Sequence, residues 1–262
     1  MNIFDLFLTP PERRANEKIR EALFDTNDPQ SMEDRMRDKW NNTADVSWID
    51  PEKPMVAISF DDGPVRPVNE ASPAIRIQDA IAKAGMHATF FYWGNTYDED
   101  TRAEIVRAQE LGFEIANHTK THPFLPQLSP EEMKAEVGFM EPILKEISGQ
   151  EQFLLRPPYL SVDQVVKDTI NVPLISCGLD SEDWNKATAK QMIDKIAKAC
   201  ENGSLDGKIV LMHETYDATA QAVEFLVPYL VANDYQIVTI SEMFKARDKE
   251  MQAGQVYGEC PQ

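Results

Sequence analysis

Cysteine is scarce in this chain of 262 residues. The three cysteines, Cys177, Cys200 and Cys260, lie far apart and lack C-x-x-C spacing. An odd number of widely spaced thiols is not the pattern of a disulfide framework or of a thiolate zinc site. We expect all three to be buried or idle thiols.

Positive charge is also in deficit. The sequence holds 26 Lys and Arg against 44 Asp and Glu, which gives a formal net charge of -18. Such a surface repels a phosphate backbone rather than holding it. The glycine-rich motifs G-x-G-x-x-G and G-x-x-x-x-G-K-[ST] do not occur either, so the usual phosphate cradles are missing. Nucleic acid is therefore not an expected partner.

Long hydrophobic runs are missing as well. No apolar stretch approaches the roughly 20 residues of a membrane-spanning helix, and the first ten residues contain Asp5 and no basic segment. We expect no membrane span, and no export signal is visible. The location depends on the start of the chain: secreted or in the cell envelope if the chain is trimmed, and cytoplasmic if Met1 is the native start.

The composition that remains is that of a globular protein. Hydrophobic residues make up 42% of the chain, which is enough for one large core or two modest ones. Residues 1–53 are polar, with one helix predicted by the capping box Thr9-Pro10-Pro11-Glu12. The sequence predicts an N-terminal extension over residues 1–53 that packs on a main domain at 54–246, with a tail at 247–262. A monomer is expected.

Short apolar runs alternate with amphipathic helical patterns along the main domain. One such helix is predicted to begin at the capping box of Ser129 and Glu132 and to end at Gly149, with apolar residues spaced by three and four. Seven strand-then-helix units predict an α/β fold, a distorted (β/α)7-type barrel with parallel strands. The predicted strands are Met55–Phe60, Ala88–Trp93, Phe113–Ala116, Phe153–Leu155, Val172–Ser176, Ile209–Met212 and Gln236–Ile240.

Polar residues follow these strands at their C-terminal ends, where parallel α/β folds place their active sites. Strand one ends in two adjacent carboxylates, strand three in two histidines four apart and strand six in a single histidine. Strand four ends in an R-P-P-Y segment, and an acidic segment with a tryptophan follows strand five. These residues are Asp61, Asp62, His118, His122, Arg156, Tyr159, Asp180, Asp183, Trp184 and His213.

These residue types can form a hydrolytic metal site. Adjacent carboxylates raise each other's pKa unless a cation neutralises them, so Asp61 and Asp62 need a metal or an arginine nearby. One carboxylate with two imidazoles supplies three ligands and leaves positions open for water and substrate, as in a catalytic zinc site. Arg156 can pair with the other carboxylate. His213 can act as a general acid if a neighbour such as Asp183 orients it.

Each feature taken alone has a simpler explanation. The two acids could belong to a solvated turn, the histidine pair could be coincidental, and the R-P-P-Y segment could be a rigid turn. The acidic segment could be a solvated loop, and His213 could be a core histidine with its hydrogen bonds satisfied. Five such features in order, each after a different strand, favour one active site over five coincidences.

The order F-D-D-G-P, H-T-x-x-x-H after Asn, R-P-P-Y, D-x-x-D-W and L-x-H resembles the five motifs of the NodB-type polysaccharide deacetylases, carbohydrate esterase family four. The resemblance covers about residues 54 to 245. It implies that Asp61 is the catalytic base and His213 the catalytic acid. It also implies that one divalent metal ion is bound by Asp62, His118 and His122. Zinc is the expected ion, and cobalt, nickel or manganese can substitute in such a site.

The same resemblance gives supporting roles to five further residues. It implies that Arg156 holds the base, that Asp183 tunes the acid, and that the backbone N–H of Tyr159 donates to the oxyanion. It implies that Trp184 and Leu211 line the pocket for the acetyl methyl. One departure stands beside this set: Leu160 occupies a position where the family usually has glycine, so we expect a loop of different shape there.

The expected reaction is metal-assisted hydrolysis of an acetyl group on a sugar. Asp61 takes a proton from the attacking water, and His213 protonates the departing nitrogen or oxygen as acetate leaves. The expected substrates are N-acetylglucosamine polymers, peptidoglycan or chitooligosaccharide. Acetylxylan esterase activity is the alternative, because the shared motifs do not separate amide from ester cleavage.

Two other classes of protein share part of this pattern. Non-haem Fe(II) oxygenases also use two histidines and a carboxylate, but they are commonly built on antiparallel double-sheet barrels, whereas this chain alternates strands with helices. A non-catalytic carbohydrate-binding protein of the same fold would be expected to lack the base or the acid, and both Asp61 and His213 are present.

Overall fold

The computed structural model describes residues 40–262. The helix predicted after Thr9 lies outside the described residues. Within them the strands are β1 (Met55–Gly63), β2 (Thr89–Tyr92), β3 (Glu114–Asn117), β4 (Leu174–Ile175), β5 (Leu179–Asp180), β6 (Ile209–His213), β7 (Gln236–Val238) and β8 (Val256–Tyr257). The α-helices are α1 (Pro73–Lys83), α2 (Arg102–Glu110), α3 (Pro130–Gly138), α4 (Glu141–Ser148), α5 (Gln164–Thr169), α6 (Ala189–Glu201), α7 (Asp217–Ala232) and α8 (Ile240–Ala246).

The strands are parallel, as the alternation of strands and helices predicts. The main sheet has the order β3-β2-β1-β6-β5, and β7 pairs with the start of β1. Strands β4 and β8 form a second parallel pair. Leu155 joins the two sheets, because it bridges to Asn117 on β3 and to Leu174 on β4. The result is the distorted barrel-like arrangement of an α/β fold, with the strand ends gathered at one edge.

Strand β1 lies at the centre and is buried on both faces. Val56 and Ile58 pack in one hydrophobic cluster with residues of the surrounding helices, whereas Met55 and Ala57 pack in a second cluster with residues of β6 and α8. Parallel strands covered on both sides read as continuous apolar runs rather than as alternating ones. This burial explains why β1 could be recognised in the sequence from the apolar run Met55–Phe60.

Several predicted boundaries differ from the structure. Phe153–Leu155 is not a strand; only Leu155 makes single bridges. Strands β5 and β8 were not predicted, because each has two residues and too few side chains to form a pattern. The segment after residue 246 supplies β8 and the fully buried Cys260, and Ile49 is buried before residue 54. The domain boundaries at 53 and 246 stay predictions.

The single helix predicted from Ser129 to Gly149 is two helices, α3 and α4. The capping box of Ser129 and Glu132 is confirmed, and Gly149 ends α4 with a φ of 71°. The break has a steric cause: a proline ring clashes with the carbonyl four residues earlier and lacks an N–H. Pro142 would make that clash with Gly138, and Gly138 is the last residue of α3.

The described residues include all three cysteines. All three cysteines are free; Cys200 and Cys260 are buried and Cys177 is half-buried. No helix within residues 40–262 is long and apolar enough to cross a bilayer.

Candidate active site

The two adjacent aspartates at the end of β1 are separated by a bulge. In the pairing with β2, Asp61 lies opposite Phe91 and Gly63 opposite Tyr92, which leaves Asp62 as the extra residue. Asp62 has a φ of 69°, in the left-handed region. A bulge changes the direction of a side chain relative to its neighbours. The backbone therefore gives Asp61 and Asp62 different partners.

Asp61 is paired with the fully buried Arg156. Nη1 of Arg156 donates to Oδ1 of Asp61 over 2.6 Å, and Nη2 donates to Oγ of Ser59 over 2.8 Å. The guanidinium also lies 4.2 Å from the ring centroid of Phe91. A buried carboxylate is costly unless it is paired and hydrogen-bonded. Arg156 both pairs with the Asp61 carboxylate and donates a hydrogen bond to it. The other carboxylate oxygen, Oδ2, lies 3.7 Å from Nε2 of His118.

Asp62, His118 and His122 converge on one point. Oδ1 of Asp62 is buried and has no hydrogen-bond partner among residues 40–262. It lies 3.6 Å from Nε2 of His118 and 4.0 Å from Nε2 of His122. All three ligand atoms lie within 4.8 Å of one another. Tetrahedral zinc with bonds near 2.1 Å separates its ligands by about 3.4 Å. An unpartnered carboxylate oxygen that faces two imidazole nitrogens at these distances fits a divalent metal ion.

A hydrogen bond at His118 and a lowered pKa at His122 both suit a role in metal binding. Nδ1 of His118 lies 2.7 Å from the backbone oxygen of Arg156. A carbonyl only accepts, so Nδ1 carries a hydrogen, and in the neutral imidazole Nε2 is the nitrogen with the lone pair. Burial and the neighbouring His118 lower the pKa of His122, which favours the neutral imidazole that a metal binds.

His213, at the end of β6, is held by Asp183. Nδ1 of His213 lies 2.8 Å from Oδ1 of Asp183, and the backbone N–H of His213 donates to Oδ2 over 2.6 Å. Thr219 also donates to Oδ2 over 2.8 Å. Burial lowers the pKa of His213, but the hydrogen bond to Asp183 and the charges of Asp61, Asp183 and Asp62 outweigh it and raise the pKa to about 9. At this pKa the His213 imidazole is protonated at neutral pH.

This geometry gives a prediction for the pH profile. A divalent ion at the three ligands would offset the charges of Asp61 and Asp62, so Asp183 is the anion that holds the His213 proton. Asp183→Asn should move the basic limb of the kcat/KM profile to lower pH, by roughly one to three units. Asp180→Asn is the matched control, because Asp180 accepts hydrogen bonds from Glu182 and Trp184. A basic limb that stays in place in both variants would contradict the assignment of His213 as the acid.

One cavity of about 380 Å³ brings most of the predicted site residues together. Arg156 and Asp183 do not line it and lie behind Asp61 and His213. Trp184 is 55% exposed and Tyr159 66%, whereas Leu211 is buried. The lining residues are Asp61, Asp62, His118, His122, Pro157, Tyr159, Leu160, Asp180, Trp184, Leu211, His213 and Tyr216.

Backbone strain is concentrated in the loops around this cavity. Leu160 has a φ of 53°, which is the left-handed conformation that glycine adopts without cost and a branched side chain does not. Left-handed residues of this kind cluster at functional sites, where the surrounding structure holds them. The set comprises Asp62, Thr119, His122, Tyr159, Leu160 and Glu182.

Two functional supports were missed by sequence reasoning. Ser59 donates to the carbonyl oxygen of Val210 and accepts from Arg156; as the one hydroxyl inside an apolar strand, it could have been noticed. Thr219 binds Asp183 from α7. No local pattern marks that threonine, because its role comes from the packing of α7 against the loop after β5.

Two buried acids lie next to the end of β1. A Cβ at Gly63 would fall 1.7 Å from Oε1 of Glu214, so Glu214 occupies the space that a glycine leaves. Neither oxygen of Glu214 has a hydrogen-bond partner in the described part of the chain, and burial raises the pKa of Glu214 well above the usual value. Burial also raises the pKa of Glu104 to about 8, although the hydrogen bond from the N–H of Val65 opposes the shift.

We expect Glu104→Gln to stabilise the protein increasingly as the pH rises. An unfolded Glu titrates near 4.3, whereas the pKa in the folded protein is about 8. Between these values only the unfolded chain has released its proton, so wild-type stability falls across that interval and levels off above it. Glutamine does not ionise, and its carbonyl can still accept from Val65.

Denaturant unfolding at pH 5, 7 and 9 measures this effect. The free energy gap between Glu104→Gln and wild type should widen from pH 5 to about pH 8 and then stay constant. Glu110→Gln, at an exposed position of the same helix, is the control and should show no comparable widening. A constant gap for Glu104→Gln would mean that Glu104 is already ionised in the folded protein at neutral pH.

Comparison with known proteins places this site in a family. Residues 49–172 match the family described as polysaccharide deacetylase. The peptidoglycan-N-acetylmuramic acid deacetylase PdaC of Bacillus subtilis is 31% identical over 197 residues, which cover 74% of this chain and 40% of PdaC. The solved structure of PdaC matches with a TM-score of 0.68 and 30% identity, over 76% of this chain and 94% of that one.

Two further matches differ from each other in the reaction that their names give, one being a deacetylase and the other an esterase. The peptidoglycan-N-acetylglucosamine deacetylase PgdA of Listeria monocytogenes is 28% identical over 202 residues, 77% of this chain and 41% of PgdA. A family 4 acetyl xylan esterase from Clostridium thermocellum, solved with a cobalt ion, has a TM-score of 0.71 and 25% identity over 79% of this chain and all of that one. The chain spans about two fifths of the length of PdaC and PgdA.

The family match and the structural match at 30% identity define the class of this protein. The chain belongs to this class, the polysaccharide deacetylase family. The expected family and fold are thus confirmed, and a divalent metal is the family's cofactor.

Proposed function

We propose that this protein removes acetyl groups from N-acetylglucosamine units of a polysaccharide, either peptidoglycan or chitooligosaccharide. The observation that carries the proposal is the convergence of two catalytic pairs on one cavity. Asp61, which Arg156 holds, lies near the end of β1, and His213, which Asp183 holds, ends the neighbouring strand β6; Asp61 and His213 are register partners.

The proposed roles follow from these contacts. Asp61, with one oxygen occupied by Arg156, uses the other to accept a proton from the attacking water. His213 gives its proton to the departing sugar nitrogen. The backbone N–H of Tyr159, at the cavity wall, would donate to the oxyanion. A divalent ion held by Asp62, His118 and His122, for which we propose zinc, supplies Lewis acidity toward the acetyl carbonyl.

The shape of the cavity supports an acetylated sugar as the ligand. Leu211 lies inside, where an acetyl methyl would be sheltered, and Trp184 lies at the mouth with its ring exposed. Nε1 of Trp184 donates to Oδ2 of Asp180 over 3.1 Å, which fixes the orientation of the indole. Tyr159 and Tyr216 add two further exposed rings. Aromatic faces of this kind pack well against the apolar faces of sugars.

The acid favours amide over ester cleavage. An amine leaves a tetrahedral intermediate poorly unless it is protonated, and the raised pKa of His213 keeps a proton available at neutral pH. The names of PdaC and PgdA point the same way, since both are peptidoglycan deacetylases. Removal of O-acetyl groups from xylan is the second candidate, supported by the structural match to an acetyl xylan esterase.

Acetate release measured side by side tests the proposal. The substrates are peptidoglycan, chitooligosaccharide and acetylated xylo-oligosaccharide, each with metal-free protein and with zinc or cobalt restored. We expect release from an N-acetylglucosamine substrate that stops without metal and returns with it. Release from xylo-oligosaccharide alone would favour the esterase, and full activity of metal-free protein would contradict the metal-dependent mechanism.

Three coarser proposals accompany this one. We place the catalytic domain at residues 54–246 and propose that the protein acts as a monomer, because one chain supplies every residue of the cavity. If peptidoglycan is the substrate, the protein is secreted or lies in the cell envelope. If imported chitooligosaccharide is the substrate, it is cytoplasmic.

A further inference from the structure

The two histidines of the proposed metal site are supported in different ways. A histidine that binds a metal ordinarily donates its other ring N–H to a carbonyl or carboxylate, which fixes the orientation of the ring. His118 follows this rule, with Nδ1 at 2.7 Å from the carbonyl oxygen of Arg156. Among residues 40–262 no such hydrogen bond is found for Nδ1 of His122; its backbone N–H donates to Oγ1 of Thr119.

Aromatic rings surround His122 instead. The ring of Tyr159 lies 4.6 Å from the His122 imidazole at an interplanar angle of 70°. The ring of Trp93 lies 5.7 Å away at 83°. His118 makes a third edge contact at 5.0 Å and 66°. Edge-to-face contacts at these separations are favourable, and they depend on the angle between the rings.

The backbone at His122 has an uncommon conformation. His122 has a φ of 60°, in the left-handed region that residues other than glycine rarely adopt. Trp93 is half-buried, and none of the described residues forms a hydrogen bond with its buried Nε1. Within the described residues, the contact of Trp93 with His122 is therefore made by the ring and not by the indole nitrogen.

We propose that Trp93 and Tyr159 are positioning residues that orient the His122 imidazole for metal binding through edge-to-face ring contacts. This inference rests on the proposed role of Asp62, His118 and His122 as ligands. Trp93 carries no role among the five motifs, and Tyr159 is otherwise assigned through its backbone N–H. The side chains of both residues therefore gain a function in setting metal affinity.

Metal binding, measured without any substrate, tests the proposal. The variants are Trp93→Ala, Trp93→Phe, Tyr159→Ala and Tyr159→Phe, each titrated with cobalt(II) by visible absorption and with zinc by competition against a chelator. Loss of an outer support of a metal ligand costs 10- to 100-fold in affinity, so the alanine variants should raise the Kd by about that factor. The phenylalanine variants, which keep a ring, should retain the wild-type Kd and cobalt spectrum.

Tyr216→Ala is the matched control. The Tyr216 ring lies 5.9 Å from the His213 imidazole at 65°, so it makes the same kind of contact with a histidine that is not a proposed ligand. The control should leave the Kd unchanged. An equal loss in Tyr216→Ala, or a loss in Trp93→Ala that Trp93→Phe does not restore, would overturn the proposal.

The remaining outcomes are also decisive. If Trp93→Ala does not fold, the Tyr159 pair decides alone, because that ring is 66% exposed and its removal leaves the core intact. An unchanged Kd in Tyr159→Ala and in any folded Trp93→Ala would overturn the positioning role while leaving the proposed function in place. A wild-type protein that binds neither cobalt nor zinc would instead overturn the assignment of the three ligands, and the inference with it.

Discussion

Replacing Asp61 by asparagine should abolish acetate release while leaving the metal content nearly unchanged. Asparagine has almost the same shape, and its carbonyl oxygen can still accept the hydrogen bond that Nη1 of Arg156 donates to Asp61. It cannot take a proton from water. The loss of a general base costs at least a hundredfold to ten-thousandfold in rate. Asp62 should keep its place as a ligand, because the bulge directs it away from Arg156.

Both quantities should be measured on folded protein. Arg156 would lose its counter-charge in the buried site, and breaking such a pair costs about 3–5 kcal/mol, so Asp61→Asn should unfold at lower temperature than wild type. Metal analysis after gel filtration separates folded from aggregated material. Asp62→Asn is the paired control and should lose the metal. If Asp61→Asn loses metal while Asp62→Asn keeps both metal and activity, the two roles are reversed.

The second large effect should come from His213→Ala, and it should depend on the leaving group. Without its general acid the enzyme should lose roughly a hundredfold to ten-thousandfold in N-deacetylation. An aryl acetate has a leaving group that needs no proton, so its hydrolysis should fall much less. Acetate release from N-acetylglucosamine oligomers and phenol release from an aryl acetate provide the two readouts.

A control at the same strand end keeps this comparison specific. Leu211 lines the cavity two residues before His213 but carries no proton, so Leu211→Ala should reduce hydrolysis of both substrates through binding rather than through the leaving group. If His213→Ala lowers both rates equally, His213 has a structural role and the proton has another source.

Much of the site could be predicted because its residues are tied to the ends of strands. Asp61 and His213 follow apolar runs long enough to recognise, and parallel pairing brings those ends together. The R-P-P-Y segment could be placed even though Phe153–Leu155 is no strand, because Leu155 still bridges to β3 and β4 and holds Arg156 at the same edge.

The remainder depends on contacts that are distant in sequence or on backbone angles. Residue type alone does not show that Asp62 is the bulged residue of the adjacent pair; the register against β2 decides it. Thr219 reaches Asp183 from 36 residues away. The break between α3 and α4 was foreseeable, since Pro142 was in the sequence, but the prediction rested on the capping box, the apolar spacing and Gly149 alone.

The bulge at Asp62 also means that spacing matters at this site as much as composition. If one residue were deleted between Asp61 and Pro64, both carboxylates could remain in the sequence, yet the strand would lose the offset that separates their directions. The deletion would also remove the contact between the unsubstituted Cα of Gly63 and Glu214. A library that samples lengths here should therefore yield inactive proteins far more often than one that samples residue types at exposed positions of the neighbouring loops, such as Lys120 or Lys186.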